Sequence, residues 1–258
     1  MIKKIGLYDS GVGGLSVVRA IRRALPGADM VYTGDTCHVP YGEKPFSEIL
    51  EYSRGISAFL AGKDIDALVI ACNVSSAVAC GYLLETYPGM PVISMIECGA
   101  ALCGGSGSVG VLATEGTVKS GAYPAALSAA GFRGAVAQEA CPEFVPIVEG
   151  NLLGTAFCRE ACRRHCQKVA GADTVILGCT HYPLMLEAIR EFLPKSRIAD
   201  PAEEAARRLL EIGAEGGGRL EAYTTGDREQ FEKTASLFVP GIKARRLVWK
   251  EGRLEEDN

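Results

Sequence analysis

The sequence predicts an α/β protein made of two related halves, each containing a buried parallel sheet. Two observations predict this class. Short apolar runs alternate with helical segments along the chain, as they do in sheets covered by helices on both faces. The chain also repeats three of its sequence patterns in the same order about 105 residues later, which is typical of a duplicated architecture.

The elements follow in chain order. Residues 15–25 carry apolar side chains at helical spacing, and residues 202–212 and 229–237 are predicted as later helices. The apolar runs are predicted as buried strands, and they comprise residues 5–8, 67–71, 91–94, 109–112 and 174–177. Two further strands are predicted near the end of the chain, at residues 220–225 and 246–249.

The internal repeat defines the predicted domains. The matching pairs are residues 5–10 with 109–114, residues 39–43 with 145–149, and residues 66–73 with 173–180. We therefore predict one domain over residues 1–96 and a second over residues 97–208. The last segment, residues 209–258, is too short for a core of its own, so we expect it to return to the first domain.

Composition excludes several classes of protein. The 258 residues are 48% hydrophobic and 22% charged, and the net charge of -4 gives no reason to expect nucleic acid or a membrane surface as a partner. No apolar stretch reaches the roughly 18 residues that a bilayer span needs. The first residues indicate a strand that enters a polar turn rather than a signal peptide, so we expect a cytoplasmic protein.

Two of the ten cysteines differ from the rest by position. Cys72 and Cys179 occupy matching places in the repeat, and each follows a predicted strand and precedes a helix. Ligands of α/β sheets bind at this end of the strands, and a helix N-terminus there favours a thiolate. Two such thiols that face one carbon atom from opposite sides could remove a proton and return it with inversion. The other cysteines are interpreted as small buried apolar residues.

At these positions the sequence resembles the glutamate racemases of the aspartate/glutamate racemase superfamily over nearly its whole length. The motifs that carry the resemblance are residues 9–17, 32–36, 40–42, 71–73, 116–118, 141–146 and 177–184, together with Glu149. The resemblance implies two similar Rossmann-like domains related by a pseudo-two-fold duplication, a site between them and no cofactor or metal. It also implies a glutamate substrate and the supply of D-glutamate for peptidoglycan.

The resemblance also assigns roles to individual residues. Cys72 and Cys179 match the two thiol acid/bases, Asp9 a carboxylate beside the first thiol, His181 an imidazole beside the second, and Glu149 a supporting carboxylate. Ser10, Pro40, Tyr41 and Gly42 match the pocket for the side-chain carboxylate of the substrate. Asn73, Thr117 and Thr180 match contacts to the amino-acid head group, together with the residue at position 74.

Position 74 departs from the family pattern. The family has threonine after the Cys-Asn pair, whereas this chain has Val74, which is nearly isosteric but lacks the hydroxyl donor. Loss of one hydrogen bond to a charged group weakens binding or catalysis roughly 10- to 150-fold when nothing compensates. Glutamate racemase stays the leading hypothesis, and two alternatives stay open: another amino acid or dicarboxylate as substrate, or a weakly active homologue that acts as a binding protein.

Other motifs are assigned to structure rather than chemistry. Residues 11–16 lack the third glycine of a dinucleotide fingerprint. The stripe formed by Cys158, Cys162 and Cys166 with His165 lacks zinc-finger spacing, so helix packing is the preferred interpretation and metal binding the alternative. His38 is interpreted as a surface-loop residue. Family members pair in different ways, so a homodimer is one possible assembly.

Overall fold

The computed structural model describes residues 2–213 and 215–257 and contains two sheets. The strands, in chain order, are β1 (Lys4–Asp9), β2 (Asp29–Gly34), β3 (Ala67–Ile70), β4 (Val92–Ser94), β5 (Ser108–Ala113), β6 (Ala135–Ala140), β7 (Thr174–Gly178), β8 (Arg197–Ala199), β9 (Leu220–Thr224), β10 (Ala244–Lys250) and β11 (Arg253–Glu256). One sheet has the order β11-β10-β9-β2-β1-β3-β4 and the other the order β6-β5-β7-β8. All strand pairs are parallel except that of β10 with β11, so the predicted α/β class is confirmed.

Helices connect the strands. They are α1 (Leu15–Ala24), α2 (Phe46–Ala61), α3 (Asn73–Thr86), α4 (Met95–Ala101), α5 (Glu115–Ser120), α6 (Ala122–Ala129), α7 (Phe144–Glu149), α8 (Ala156–Cys166), α9 (Leu186–Phe192), α10 (Pro201–Ile212) and α11 (Arg228–Ala235). Short 3-10 turns cover Tyr41–Glu43 and Tyr182–Met185. None of the described helices is long and apolar enough to cross a membrane.

The two sheets share a common topology. In the first, β1 lies between β2 and β3, with β4 beyond β3; in the second, β5 lies between β6 and β7, with β8 beyond β7. An equivalent aspartate joins the central strands in each half. Asp66 accepts hydrogen bonds from the backbone N–H groups of Lys3 and Lys4, and Asp173 accepts them from Gly107 and Ser108. The first and third repeats in the sequence therefore correspond to equivalent strands.

The second repeat has two different local structures. Residues 39–43 form a loop with a 3-10 turn after β2, whereas residues 145–149 lie in α7, after β6. The two segments follow equivalent strands, but their backbones differ because only the second continues into hydrogen-bonded helical turns. Sequence similarity there predicted equivalent positions and did not predict equivalent conformations.

The last part of the chain joins the first sheet. β9 pairs with β2, and β10 and β11 extend the same sheet beyond it. α10 precedes these strands and begins at Pro201, where the Asp200 side chain accepts the backbone N–H of Ala202. The exact domain boundaries, 1–96 plus 209–258 and 97–208, stay a prediction.

Four strands, β2, β6, β8 and β11, were not predicted. β6 is the edge strand of its sheet, and none of its side chains is fully buried, so it lacks the continuous apolar run of a central strand. β2 is buried, but it begins with Asp29 and ends with Thr33 and Gly34, so only its three middle residues form an apolar run.

The cysteine stripe of α8 lies in the protein core. Cys158, Cys162 and Cys166 are fully buried and belong to the same apolar cluster as Phe144. His165, on the same helix, lies within hydrogen-bond distance of a carboxylate at each ring nitrogen: Glu139 at 2.8 Å and Glu143 at 2.7 Å. Both imidazole nitrogens of His165 therefore already interact with carboxylates of the protein.

Candidate active site

A cavity of about 340 Å³ lies at the carboxyl ends of both sheets. Each central strand and each of its two neighbours ends at this cavity. The lining residues follow β1 (Ser10, Gly11), β2 (residues 39–43), β3 (residues 72–74), β5 (Thr114, Glu115, Thr117), β6 (Cys141, Pro142, Val145, Pro146, Glu149) and β7 (residues 178–181). This is where ligands bind in open α/β sheets, and here two sheets contribute to one cavity.

All the predicted site residues except Asp9 line this cavity. They are Ser10, Pro40, Tyr41, Gly42, Cys72, Asn73, Val74, Thr117, Glu149, Cys179, Thr180 and His181. The predicted residues come from six separate segments of the chain, and folding brings them to one place. Cys72 and Cys179 lie on the same cavity, and each retains a small exposed fraction, 6% and 8%.

Cys72 is the N-cap residue of α3 and follows β3. Burial raises the pKa of its thiol to about 11, and the nearby Asp9 carboxylate contributes in the same direction. Hydrogen bonding by Ser75 at the start of the helix lowers the pKa but does not outweigh burial. The expectation that the helix N-terminus would set a low pKa is therefore wrong for this thiol, because desolvation of the charged form is the larger effect.

Cys179 has a different set of neighbours. Its Sγ lies 3.8 Å from Nδ1 of His181, and Nε2 of the same imidazole lies 2.9 Å from Oε1 of Glu149. Burial favours the neutral imidazole, but the hydrogen bonds to Cys179 and Glu149 outweigh it and raise the pKa of His181 to about 10. The raised pKa favours the protonated imidazole of His181 at neutral pH.

Asp9 lies behind the cavity wall. Its carboxylate is buried and accepts hydrogen bonds from the backbone N–H of Gly11 at 2.9 Å and from the Thr180 hydroxyl at 3.3 Å. Burial raises the pKa of this carboxyl, and the His181 cation partly offsets that shift. The Gly11 amide is thus already bound to Asp9.

Gly13 shows why the loop after β1 needs glycine. A Cβ atom added at Gly13 would lie 2.4 Å from Oγ1 of Thr180 and 2.5 Å from the His181 ring, closer than real side chains approach. The absence of a side chain therefore lets the second half of the chain place Thr180 and His181 directly against the first.

Comparisons with known proteins agree with this arrangement. The family model for Asp/Glu/Hydantoin racemases matches residues 13–209. The chain belongs to this racemase family. A glutamate racemase from Aquifex aeolicus is 40% identical over 241 residues, which cover 92% of this chain and 94% of that protein.

Solved structures of two relatives resemble the racemase closely. Glutamate racemase from Thermus thermophilus, in complex with beta-chloro-D-alanine, superposes with a TM-score of 0.88 at 36% identity and covers 95% of this chain and 96% of its own. Glutamate racemase from Francisella tularensis, in complex with D-glutamate, has a TM-score of 0.87 at 28% identity, with coverage of 96% and 97%. The two-domain fold and the amino-acid racemase class predicted from the sequence are confirmed.

Sequence reasoning did not identify Thr114 and Tyr123 as residues of this candidate site. Thr114 lines the cavity, and its hydroxyl lies 3.1 Å from that of Thr117. The repeat carried a signal for it, because Thr114 aligns with Ser10. Tyr123 was also missed: its hydroxyl donates a 2.7 Å hydrogen bond to Oδ1 of Asn73 and fixes the orientation of that amide.

The loop that carries Pro40 and Tyr41 contains a cluster of side chains that can bind metals. Ligand-type atoms of Asp35, Cys37 and His38 lie within 4.8 Å of one another. The two Asp35 oxygens, however, already accept hydrogen bonds from protein side chains. In the racemase these side chains form a hydrogen-bonded cluster centred on Asp35. His38, which was expected to be a surface-loop residue, belongs to this cluster.

Proposed function

We propose that the racemase interconverts L- and D-glutamate by proton removal and return at the α-carbon, with Cys72 and Cys179 as the two acid/base groups and no cofactor. The observation that supports this most is that two thiols from equivalent strand ends line one cavity. The predicted role of the product is the supply of D-glutamate for peptidoglycan.

The proposed reaction has two steps, and one proton moves in each step. A thiolate removes the α-proton, and the electron pair of the C–H bond is delocalised into the substrate carboxylate. The opposite thiol then donates its proton to the other face of the carbon, and its sulfur becomes the thiolate. The enzyme leaves each turnover with the charge on the other sulfur, so the reverse reaction uses the same groups in exchanged roles.

The surroundings of the thiols fit these roles. Burial and Asp9 both favour the neutral thiol at Cys72, which suits a proton donor. At Cys179 the neighbouring imidazole of His181, held by Glu149, lies where it can exchange a proton with the sulfur.

The lining of the cavity suits a substrate with two carboxylates. Ser10, Tyr41 and Gly42 are assigned to the side-chain carboxylate, with Pro40 beside them in the same loop. Asn73, Thr117 and Thr180 are assigned to the amino-acid head group. The complex of the Francisella tularensis racemase with D-glutamate supports the same substrate for this chain.

The test of this function compares four substrates. The purified protein should racemise D- and L-glutamate, measured by circular dichroism, and should do so with a higher kcat/KM than D- and L-aspartate. Greater activity on aspartate would support the alternative superfamily racemase. An absence of solvent-deuterium exchange into the α-position of all four would instead support a binding protein.

Val74→Thr tests the departure from the family pattern. Val74 is almost fully buried and lines the cavity between Gly116 and Asn73. We expect the threonine variant to raise kcat/KM for glutamate about tenfold, because its hydroxyl adds a donor beside a carboxylate. Val74→Ala is the control, since it removes the methyl groups without adding a donor. An unchanged kcat/KM in the threonine variant would show that another group already supplies this hydrogen bond.

A further inference from the structure

Asp35 is a buried carboxylate that accepts N–H or O–H hydrogen bonds from four side chains, and the Cys37 thiol is a weaker donor at 3.6 Å. His38 Nδ1 donates at 2.8 Å, the Tyr41 hydroxyl at 2.5 Å, the Thr225 hydroxyl at 2.7 Å and the Trp249 indole N–H at 2.9 Å. The Asp35 side chain has no exposed surface. Burial favours the protonated acid, but these four donors outweigh it and lower the pKa of Asp35.

The four donors come from two distant parts of the chain. His38 and Tyr41 belong to the cavity loop, which we define as residues 35–43. Thr225 follows β9, and Trp249 lies in β10, so both belong to the segment that returns to the first sheet. Asp35 therefore joins the cavity loop to the end of the chain.

Aromatic packing reinforces this link. The His38 ring stacks on Tyr52 with a centroid distance of 4.0 Å, and the Trp249 ring lies 5.5 Å from His38 and 5.9 Å from Tyr52. The stacked rings therefore hold the loop through His38, Tyr52 and Trp249, none of which lines the cavity. The Tyr41 hydroxyl donates to Asp35 and is therefore not available to a ligand in the cavity. This hydrogen bond holds the backbone of Tyr41 and Gly42 in place.

We propose that Asp35 is a positioning residue for substrate binding, which holds the cavity loop against Thr225 and Trp249 so that Tyr41 and Gly42 keep the geometry needed to bind the side-chain carboxylate. The inference rests on the proposed function, because it takes that carboxylate as the group bound by the loop. It assigns to the returning C-terminal segment a role in substrate affinity, although neither Thr225 nor Trp249 lines the cavity.

The test of this proposal measures KM and kcat separately for variants of Asp35 and Trp249. Asp35→Asn replaces an acceptor oxygen with an amide N–H that faces existing donors, and we expect KM for glutamate to rise at least about tenfold. The value of kcat should change less than about threefold, because both thiols and His181 stay in place. Trp249→Phe, which removes one donor and retains an aromatic ring, should raise KM about threefold.

Asp173→Asn is the matched control. Asp173 also joins two chain segments by several hydrogen bonds, but at the opposite end of the strands from the cavity. We expect it to lower Tm without changing KM. If Asp35→Asn lowers kcat and leaves KM unchanged, or if its KM equals that of the control, the positioning role is wrong.

A double variant adds a second measurement. Asp35→Asn and Tyr41→Phe remove the same hydrogen bond, so their effects on KM should be non-additive when combined. Additive effects would contradict the proposed coupling. If Asp35→Asn does not fold, Thr225→Val and Trp249→Phe provide the KM measurement. Failure of the wild type to racemise glutamate contradicts the proposed function itself and is observed before any variant is compared.

Discussion

Replacing either cavity thiol with alanine is expected to lower kcat for racemisation of glutamate by about 10³-fold or more, because inversion needs an acid/base group on each face of the α-carbon. Cys72→Ala and Cys179→Ala should therefore both be inactive as racemases. Circular dichroism of D- and L-glutamate solutions measures the loss, and thermal unfolding verifies that each variant is folded.

Proton exchange without inversion makes this test more specific. Each variant retains one thiol, which can still remove a proton from one enantiomer and return a deuteron to the same face. We expect the two variants to exchange the α-proton of opposite enantiomers in D₂O, as followed by NMR. Exchange of the same enantiomer by both would mean that the sulfurs do not approach the carbon from opposite sides.

Cys141→Ala is the matched control for the thiol variants. Cys141 also lines the cavity, but burial raises the pKa of its thiol far above the ordinary range, and it does not follow either of the equivalent strands β3 and β7. Its replacement should leave kcat within about threefold of the wild-type value. A loss of kcat comparable to that of Cys72→Ala would show that the proposed assignment of the proton transfer to Cys72 and Cys179 is wrong.

His181→Asn is expected to lower kcat about 10²-fold, because the variant lacks the imidazole that lies against Cys179 and can take part in the proton transfer. The amide retains a polar side chain without a titratable proton. Glu149→Gln should produce a smaller loss in the same direction, since it weakens the hydrogen bond that holds the imidazole. If both variants retain the wild-type kcat, the imidazole has no part in the proton transfer.

The same histidine makes stability depend on pH. The pKa of His181 is about 10 in the folded protein against an ordinary value of 6.5, so the native state binds the extra proton throughout that interval. Its contribution to the free energy of unfolding is complete below pH 6.5 and is lost as the pH rises towards 10. Each unit of pKa shift corresponds to about 1.4 kcal/mol.

Urea unfolding at several pH values measures this contribution. The difference in unfolding free energy between the wild type and His181→Asn should decrease between pH 6.5 and 10, while contributions from other groups cancel in the comparison. A difference that stays constant across this interval would show that His181 is neutral in the native state at these pH values.

Matching sequence patterns were sufficient to find the two thiols. Cys72 and Cys179 stand at corresponding places after β3 and β7, and parallel strands present their carboxyl ends to one edge of a sheet. The family resemblance instead assigned Asp9, the last residue of β1, a place beside the first thiol. It did not predict that Asp9 would lie behind the cavity wall, because the hydrogen bonds from Gly11 and Thr180 depend on contacts between the two halves.

The pKa of Cys72 shows a second property that the sequence alone did not predict correctly. A helix N-terminus is visible in the sequence, and it predicted a thiolate. The extent of desolvation is not visible, because it depends on which side chains from other segments close around the sulfur. In the folded protein desolvation is the larger effect, and the pKa rises instead of falling.

By itself the sequence determined the local features: alternating strands and helices, the duplication, and the positions of Cys72 and Cys179 at strand ends. These follow from short-range periodicity and from spacing along one chain. The tertiary structure alone decided that six segments line one cavity, that Asp35 joins Tyr41 to Trp249, and that His181 remains charged. Such features depend on atoms far apart in sequence, whose distances and burial are set only when the two halves pack together.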